Sequence, residues 1–104
     1  MEKRSLERVP VNVQADFFYG DTMYAGKVKN ISKKGMYIRT EMCPPSDSKF
    51  EILLPFMTEV LKIRVKVRRL EKTGEIYRGM GVEVIDSSNG YVDFFNISTL
   101  ENLS

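Results

Sequence analysis

The second half of the sequence contains the segment Leu61-Lys62-Ile63-Arg64-Val65-Lys66-Val67-Arg68, in which an aliphatic residue alternates with a cationic one throughout. Successive side chains of a β-strand point to opposite faces of the sheet. The segment therefore predicts a strand with one face in a hydrophobic core and one basic face in solvent.

Five further strands are predicted by shorter alternating segments or by apolar runs bounded by turn residues. Four of them lie at residues 11–17, 23–30, 36–40 and 50–54. The last strand is predicted at residues 82–85, after a lead-in that contains Gly-Met-Gly. We expect the strand at 50–54 to end at Pro55.

A single helix closes the pattern. Residues 86–88 are of types that cap helix N-termini, so a helix is predicted over residues 86–101. Its apolar stripe at helical spacing consists of Tyr91, Phe94, Phe95, Ile97 and Leu100. Together these elements predict a mostly β fold, a small six-stranded antiparallel β-barrel of the split-barrel type with one C-terminal α-helix as a lid.

The length and composition predict one globular domain over residues 1–104. The 104 residues are 42% hydrophobic and 29% charged, and they can bury a single core. We expect residues 1–10 to form a flexible arm, residues 11–85 the barrel and residues 86–101 the helix. The net charge of +2 does not indicate bulk affinity for long nucleic acid.

Several classes of site are excluded by the residues that the sequence lacks. Cys43 is the only cysteine and there is no histidine, so disulfides, paired-cysteine redox chemistry and the usual zinc sites are excluded. The same lack, together with the lack of paired carboxylates in a cleft pattern, argues against an enzyme. No apolar run has the length of a membrane span, and no signal peptide is recognisable. We therefore expect a cytoplasmic protein with no cofactor, no metal and no membrane insertion.

Two short motifs carry the chemistry of the chain. Arg4 and Arg8 form the first motif, and Asn30, Ser32 and Gly35 form the second after one predicted hairpin. Each arginine presents a planar donor fork that grips a phosphate, or the O6/N7 edge of a guanine, with two hydrogen bonds. Asparagine, serine and glycine on a tight turn offer small polar groups and an accessible backbone. The two motifs together indicate a clamp for anions and guanines.

The chain resembles the PilZ family, receptors for the bacterial second messenger cyclic di-GMP, whose signature is RxxxR followed by (D/N)xSxxG. Both halves of the signature stand in the right order, at Arg4 to Arg8 and at Asn30 to Gly35. The resemblance extends to about Leu100, because the strand after Gly35 and the Gly-Met-Gly-Val-Glu-Val stretch before the helix also match the family's layout. It implies a PilZ-like barrel that binds cyclic di-GMP.

The resemblance also implies a role for each motif residue. Arg4 and Arg8 would hold phosphates and guanine edges, and Asn30 would bond a guanine edge through its carboxamide. Ser32 would offer its hydroxyl to the ligand. Gly35 would let the backbone turn close to it.

Three lysines are secondary candidates for the same ligand. Lys33 and Lys34 would point at the phosphates if the turn faces them. Lys3 precedes the first arginine, at a position where family members differ, and its charge would help to tolerate the four phosphates of two stacked ligands.

The resemblance implies an output as well as a ligand. Cyclic di-GMP would draw the arm onto the barrel and order it, and an unidentified effector protein would read that change. Family members act in motility, pili, polysaccharide synthesis, biofilms and transcription. The sequence does not choose among these processes, nor between a monomer and a homodimer.

Two other interpretations stay open. A PilZ-like adaptor that does not bind nucleotide would have the same fold, although such members typically lose one or both motifs. A small basic β-barrel that binds single-stranded nucleic acid is the second alternative, but the basic face of residues 62–68 carries no interleaved aromatic residue. Taken alone, Arg4 and Arg8 are also explained by a charged, solvated tail.

Overall fold

The computed structural model describes residues 8–86 and 89–103 and shows a closed six-stranded barrel followed by one helix. The elements are β1 (Val9–Tyr19), β2 (Thr22–Ile31), β3 (Gly35–Arg39), β4 (Lys49–Phe56), β5 (Glu59–Thr73), β6 (Ile76–Val84) and α1 (Asn89–Leu103). Neighbouring strands are antiparallel, in the order β1-β2-β3-β6-β5-β4 around the barrel. The predicted fold class is confirmed.

The alternating segment that predicted β5 lines the core as expected. Ile63, Val65 and Val67 are fully buried, and the neighbouring Arg64 and Arg68 are exposed. Inward side chains of the other strands complete one hydrophobic core, among them Phe17, Val28, Ile31, Met36, Ile38, Ile52, Leu54 and Met80. Burial of each large aliphatic side chain contributes about 1.5–3 kcal/mol. This shared core holds the strands in a barrel.

Several strand boundaries differ from those predicted. β1 begins at Val9 instead of Val11, and β5 continues to Thr73. The prediction that Pro55 ends β4 was wrong, because the strand continues through it. Among the described residues, β1 pairs only with residues 51–53 of β4. Pro55 therefore lies where one side of the strand has no partner, which is where a strand tolerates proline.

Helix α1 packs against β1 and β5. Tyr91 and Phe94 are buried, and the Phe94 ring meets the Phe56 ring edge-on with 5.5 Å between centroids. Leu100 was predicted to widen the apolar stripe, but it is 63% exposed. It follows Tyr91 by about two and a half helical turns and so points to the opposite side of the helix. The predicted cap residues 87 and 88 lie outside the described part of the chain.

Candidate functional site

The segment between β2 and β3 carries the second sequence motif and forms a tight turn. The Ser32 amide donates to the Gly35 carbonyl oxygen at 2.8 Å, and the Ser32 hydroxyl reaches the same oxygen at 3.4 Å. A Cβ atom at Gly35 would lie 2.5 Å from the Val82 carbonyl oxygen of β6. Glycine is therefore needed here because a neighbouring strand approaches closely.

The hydroxyl of Tyr91 in α1 bonds both ends of this turn. Tyr91 is 1% exposed, and its hydroxyl lies 2.7 Å from the Ser32 carbonyl oxygen and 2.9 Å from the Gly35 carbonyl oxygen. Burial raises the pKa of the Tyr91 phenol, so it stays protonated and donates at neutral pH. The sequence predicted the ring as part of the core, and its two polar contacts were not foreseen.

A surface cavity of about 360 Å³, the motif cavity, contains residues of both motifs. Its lining consists of Arg8, Asn30, Tyr37, Arg69, Leu70 and Glu71. The structure thus brings Arg8 and Asn30, which are far apart in sequence, into one cavity. Lys3 and Arg4, the other predicted residues of the arm, lie outside the described residues.

A β-bulge in β2 turns Asn30 toward the motif cavity. Val28 pairs with Ile38 of β3, yet Asn30 already pairs with Tyr37, so Lys29 is an extra residue. Such a bulge shifts the alternation of inward and outward side chains by one residue. Val28 is buried, and Asn30 consequently faces outward beside Tyr37 instead of following Val28 into the core.

A second bulge has the same effect in β5. Val67 pairs with Val82 of β6 and Arg69 pairs with Gly81, so Arg68 is the extra residue. Strict alternation would place Arg69 on the same inward face as Val67. The bulge turns Arg69 outward, where it lines the motif cavity.

Two glycines of β6 lie beneath large side chains of the motif cavity. The Tyr37 ring packs on Gly79, where a Cβ atom would fall 2.6 Å from the ring atom Cζ. The Arg69 guanidinium lies over Gly81, with its Nε 3.9 Å from the corresponding Cβ position. Both side chains therefore lie down on β6 instead of extending away from the barrel.

Tyr37 and Glu71 are linked across strand β6. The Tyr37 hydroxyl donates a hydrogen bond to the Glu71 carboxylate. Burial, together with this carboxylate, raises the pKa of Tyr37 to about 12, so the phenol is protonated at neutral pH. A carboxylate accepts several hydrogen bonds, and Glu71 therefore keeps acceptor capacity toward the cavity.

The carboxamide oxygen of Asn30 is buried and has no hydrogen-bond partner among the described residues. A buried acceptor without a donor costs about 1–3 kcal/mol. Because Asn30 lines the motif cavity, a ligand that donates an N–H or O–H to this oxygen would remove that cost. Asn30 is therefore a residue of the motif cavity that has an unsatisfied buried acceptor.

The remaining predicted residues do not line the motif cavity. Ser32 and Gly35 shape the turn that follows Asn30. Lys33 and Lys34 are exposed on that turn. The structure therefore separates residues that line the cavity from residues that form the turn after Asn30.

Sequence reasoning missed four residues of the cavity, Tyr37, Arg69, Leu70 and Glu71. Two signals in the sequence point toward them. The doublet Arg68-Arg69 ends the strict alternation of β5, as a bulge would. The glycines at 79 and 81 weaken a strand interior unless something packs closely against the backbone there.

Replacing Gly79 by alanine is expected to destabilise the barrel, whereas the same change at Gly81 is expected to be tolerated. At position 79 the new Cβ atom would lie 2.6 Å from the Tyr37 ring and 2.7 Å from the Ile38 carbonyl oxygen. Overpacking of this kind costs about 1–3 kcal/mol. At position 81 the nearest atom is 3.8 Å away, an ordinary contact.

Thermal unfolding of the two variants measures this difference, with Gly81→Ala as the matched control. Each kcal/mol lowers the Tm of a domain of this size by about 4–8 °C. Equal melting temperatures for Gly79→Ala and Gly81→Ala would contradict the close packing of Tyr37 on β6.

A larger cavity of about 650 Å³ lies along β2 and β3, and none of the predicted site residues lines it. Its charged lining residues are Lys27, Arg39, Glu41 and Arg78. Asn30, whose buried Oδ1 has no partner in the described part of the chain, lines the motif cavity and not this larger one. The motif cavity is therefore the better-supported site, although it is smaller.

Within residues 8–86 and 89–103, no group of three or more His, Cys, Asp or Glu side chains is placed to hold a metal ion. No helix in these same ranges has both the length and the apolar character needed to cross a membrane.

Comparison with known proteins identifies one family. The family model of the PilZ domain matches residues 2–94. The match includes both motifs, all six strands and the first part of α1. A search of curated proteins found no match.

Proposed function

This chain belongs to the PilZ domain family, a family of cyclic di-GMP receptors and adaptors, and we propose that it is a receptor that binds cyclic di-GMP at the motif cavity. One observation carries the proposal. Asn30, whose buried carboxamide oxygen has no partner among the described residues, lines one cavity together with two arginines.

The chemistry of the motif cavity fits the ligand. Cyclic di-GMP has two phosphates and two guanines, so its receptor needs positive charge, donors to O6 and N7, and acceptors for the N1 and N2 hydrogens. Arg8 and Arg69 supply donor forks. Asn30 and Glu71 supply acceptors. A carboxylate would repel a simple phosphate, so its presence beside the arginines favours a ligand that also carries guanine.

The turn is proposed to act at the rim of the site. The one contact of the Ser32 hydroxyl with the described residues is long, at 3.4 Å, so the hydroxyl can rotate toward a ligand at small cost. Gly35 lets the turn lie against β6. Lys33 and Lys34, which are exposed on the turn, would add positive charge that salt partly screens.

The arm is proposed to complete the site. Arg4 would supply the second fork of the RxxxR motif, and Lys3 would add charge beside a second stacked ligand. Both residues lie outside the described part of the chain. Ordering of the arm by the ligand, and recognition of that change by an effector protein, stay predictions.

Titration calorimetry with cyclic di-GMP tests the proposal. We expect a saturable heat signal for cyclic di-GMP and much weaker signals for GMP and for the linear dinucleotide. Neither of these compounds presents two guanines in the fixed arrangement of the cyclic ligand. A lack of heat at high micromolar cyclic di-GMP would overturn the receptor proposal and favour an adaptor that does not bind nucleotide.

A further inference from the structure

We propose that Tyr91 is a positioning residue whose hydroxyl holds the turn from Ser32 to Gly35 in its binding geometry. The inference rests on the proposed function, in which Ser32 meets the ligand. The Tyr91 hydroxyl lies 2.7 Å from the Ser32 carbonyl oxygen and 2.9 Å from the Gly35 carbonyl oxygen. A single donor from helix α1 is thus shared between both ends of the turn.

This arrangement frees the Ser32 hydroxyl for a ligand. The Gly35 carbonyl oxygen accepts from the Ser32 amide at 2.8 Å and from Tyr91 at 2.9 Å, but from the Ser32 hydroxyl at 3.4 Å. A carbonyl oxygen has two lone pairs, and the two shorter bonds occupy them. The Ser32 hydroxyl can therefore turn away without leaving a buried acceptor unpaired.

Removal of the Tyr91 hydroxyl would make the Ser32 hydroxyl less available to a ligand. The Ser32 hydroxyl would become the second donor to the Gly35 carbonyl oxygen, and the Ser32 carbonyl oxygen would lose its bond to Tyr91. A ligand would then compete with the turn for the Ser32 hydroxyl. Binding should weaken even though Tyr91 does not line the motif cavity.

Arg8 acts on the same hydroxyl. Burial raises the pKa of the Tyr91 phenol, and the positive charge of the Arg8 guanidinium acts in the opposite direction. Arg8 also lines the motif cavity. The charge of Arg8, from the first motif, therefore acts on the hydroxyl that binds the turn of the second motif.

The test must separate the hydroxyl from the ring, because the ring is a core element. Tyr91 is 1% exposed, and its ring lies 6.2 Å from the Phe94 ring between centroids. Tyr91→Phe keeps the ring and removes only the hydroxyl. Phe94→Leu is the matched control, because it loosens the same helix at a residue with no polar group to offer the turn.

Calorimetry with cyclic di-GMP gives the first readout. Tyr91→Phe is expected to raise the Kd about tenfold, equivalent to about 1.4 kcal/mol, while remaining folded. Phe94→Leu is expected to lower the Tm at least as much as Tyr91→Phe does. Its Kd is expected to stay within about twofold of that of the unchanged protein. Unchanged affinity in Tyr91→Phe, or an equal loss of affinity in Phe94→Leu, would overturn the proposal.

Amide hydrogen exchange gives a second readout that needs no ligand. The Ser32 amide donates to the Gly35 carbonyl oxygen, so its exchange rate in the free protein reports how often the turn opens. Faster exchange in Tyr91→Phe than in Phe94→Leu supports the proposal, and equal rates overturn it. If the unchanged protein gives no heat with cyclic di-GMP, the proposed function fails, and this exchange rate alone decides the role of Tyr91 in the turn.

Discussion

Replacing Val65 by aspartate is expected to unfold the domain at room temperature. Val65 is fully buried in β5, between Ile63 and Val67 on the inward face. The change removes burial worth about 1.5–3 kcal/mol and places a carboxyl group without a partner in the core, which costs several kcal/mol more. Native domains are stable by only about 5–15 kcal/mol, so the combined loss is comparable to the whole free energy of unfolding.

Circular dichroism and thermal unfolding measure the effect. Lys62→Asp is the control, because it puts the same side chain on the exposed face of the same strand. That change is expected to alter the free energy of unfolding by no more than about 0.5 kcal/mol. A cooperative melt of Val65→Asp close to that of the unchanged protein would contradict the burial of this face of β5.

Replacing Arg8 by alanine is expected to weaken cyclic di-GMP binding roughly ten- to a hundredfold and to leave the fold intact. Arg8 is exposed, precedes β1 and lines the motif cavity. Loss of a charge-assisted bidentate contact to guanine or phosphate costs about 1–3 kcal/mol, which corresponds to that factor. The same result is expected for Arg4→Ala from the motif alone.

Thermal melts with and without cyclic di-GMP separate the binding role of Arg8 from a structural role. The Arg8→Ala variant should keep the melting temperature of the free protein and lose most of the rise caused by ligand. Arg64→Ala is the control, since Arg64 is an exposed arginine of β5 that does not line the motif cavity. If Arg8→Ala melts much lower without ligand, Arg8 is a structural residue and its role as a ligand contact fails.

The barrel was predictable because its strands each have one buried face. Period-two patterns report that property directly, and β5 has the clearest example. Strand ends were less predictable, because pairing with neighbours decides them. Val9 belongs to β1 because it pairs with Ile31 of β2. The glycines of β6 carry no periodic signal, although Gly79 is where Tyr37 packs.

The candidate site was predictable only where local sequence determines it. The motifs drew attention to Arg8 and Asn30, and the structure places both in one cavity. The outward direction of Arg69 depends on a bulge whose position is set by pairing with β6. Helical spacing indicated a buried ring at Tyr91, but only the packed helix shows which carbonyl groups its hydroxyl meets.

The pairing of β3 with β6 has a consequence for how the domain folds. Strands β1 to β3 follow one another through short connections, and so do β4 to β6, whereas β3 and β6 are separated in the chain by two whole strands. Such long-range pairings form slowly, because the entropy of closing a long loop must be overcome first. Asn30 comes from the first half and Arg69 from the second, so they meet only after the halves have docked.

Helix α1, which carries Tyr91, is the last of the described elements to leave the ribosome. A nascent chain that already contains all six strands still lacks the hydroxyl that closes the turn at Ser32. Full affinity for the proposed ligand is then acquired only when α1 has packed, since loss of this hydroxyl is expected to raise the Kd about tenfold. Cyclic di-GMP would accordingly stabilise the completed domain more than a chain in which α1 has not yet packed.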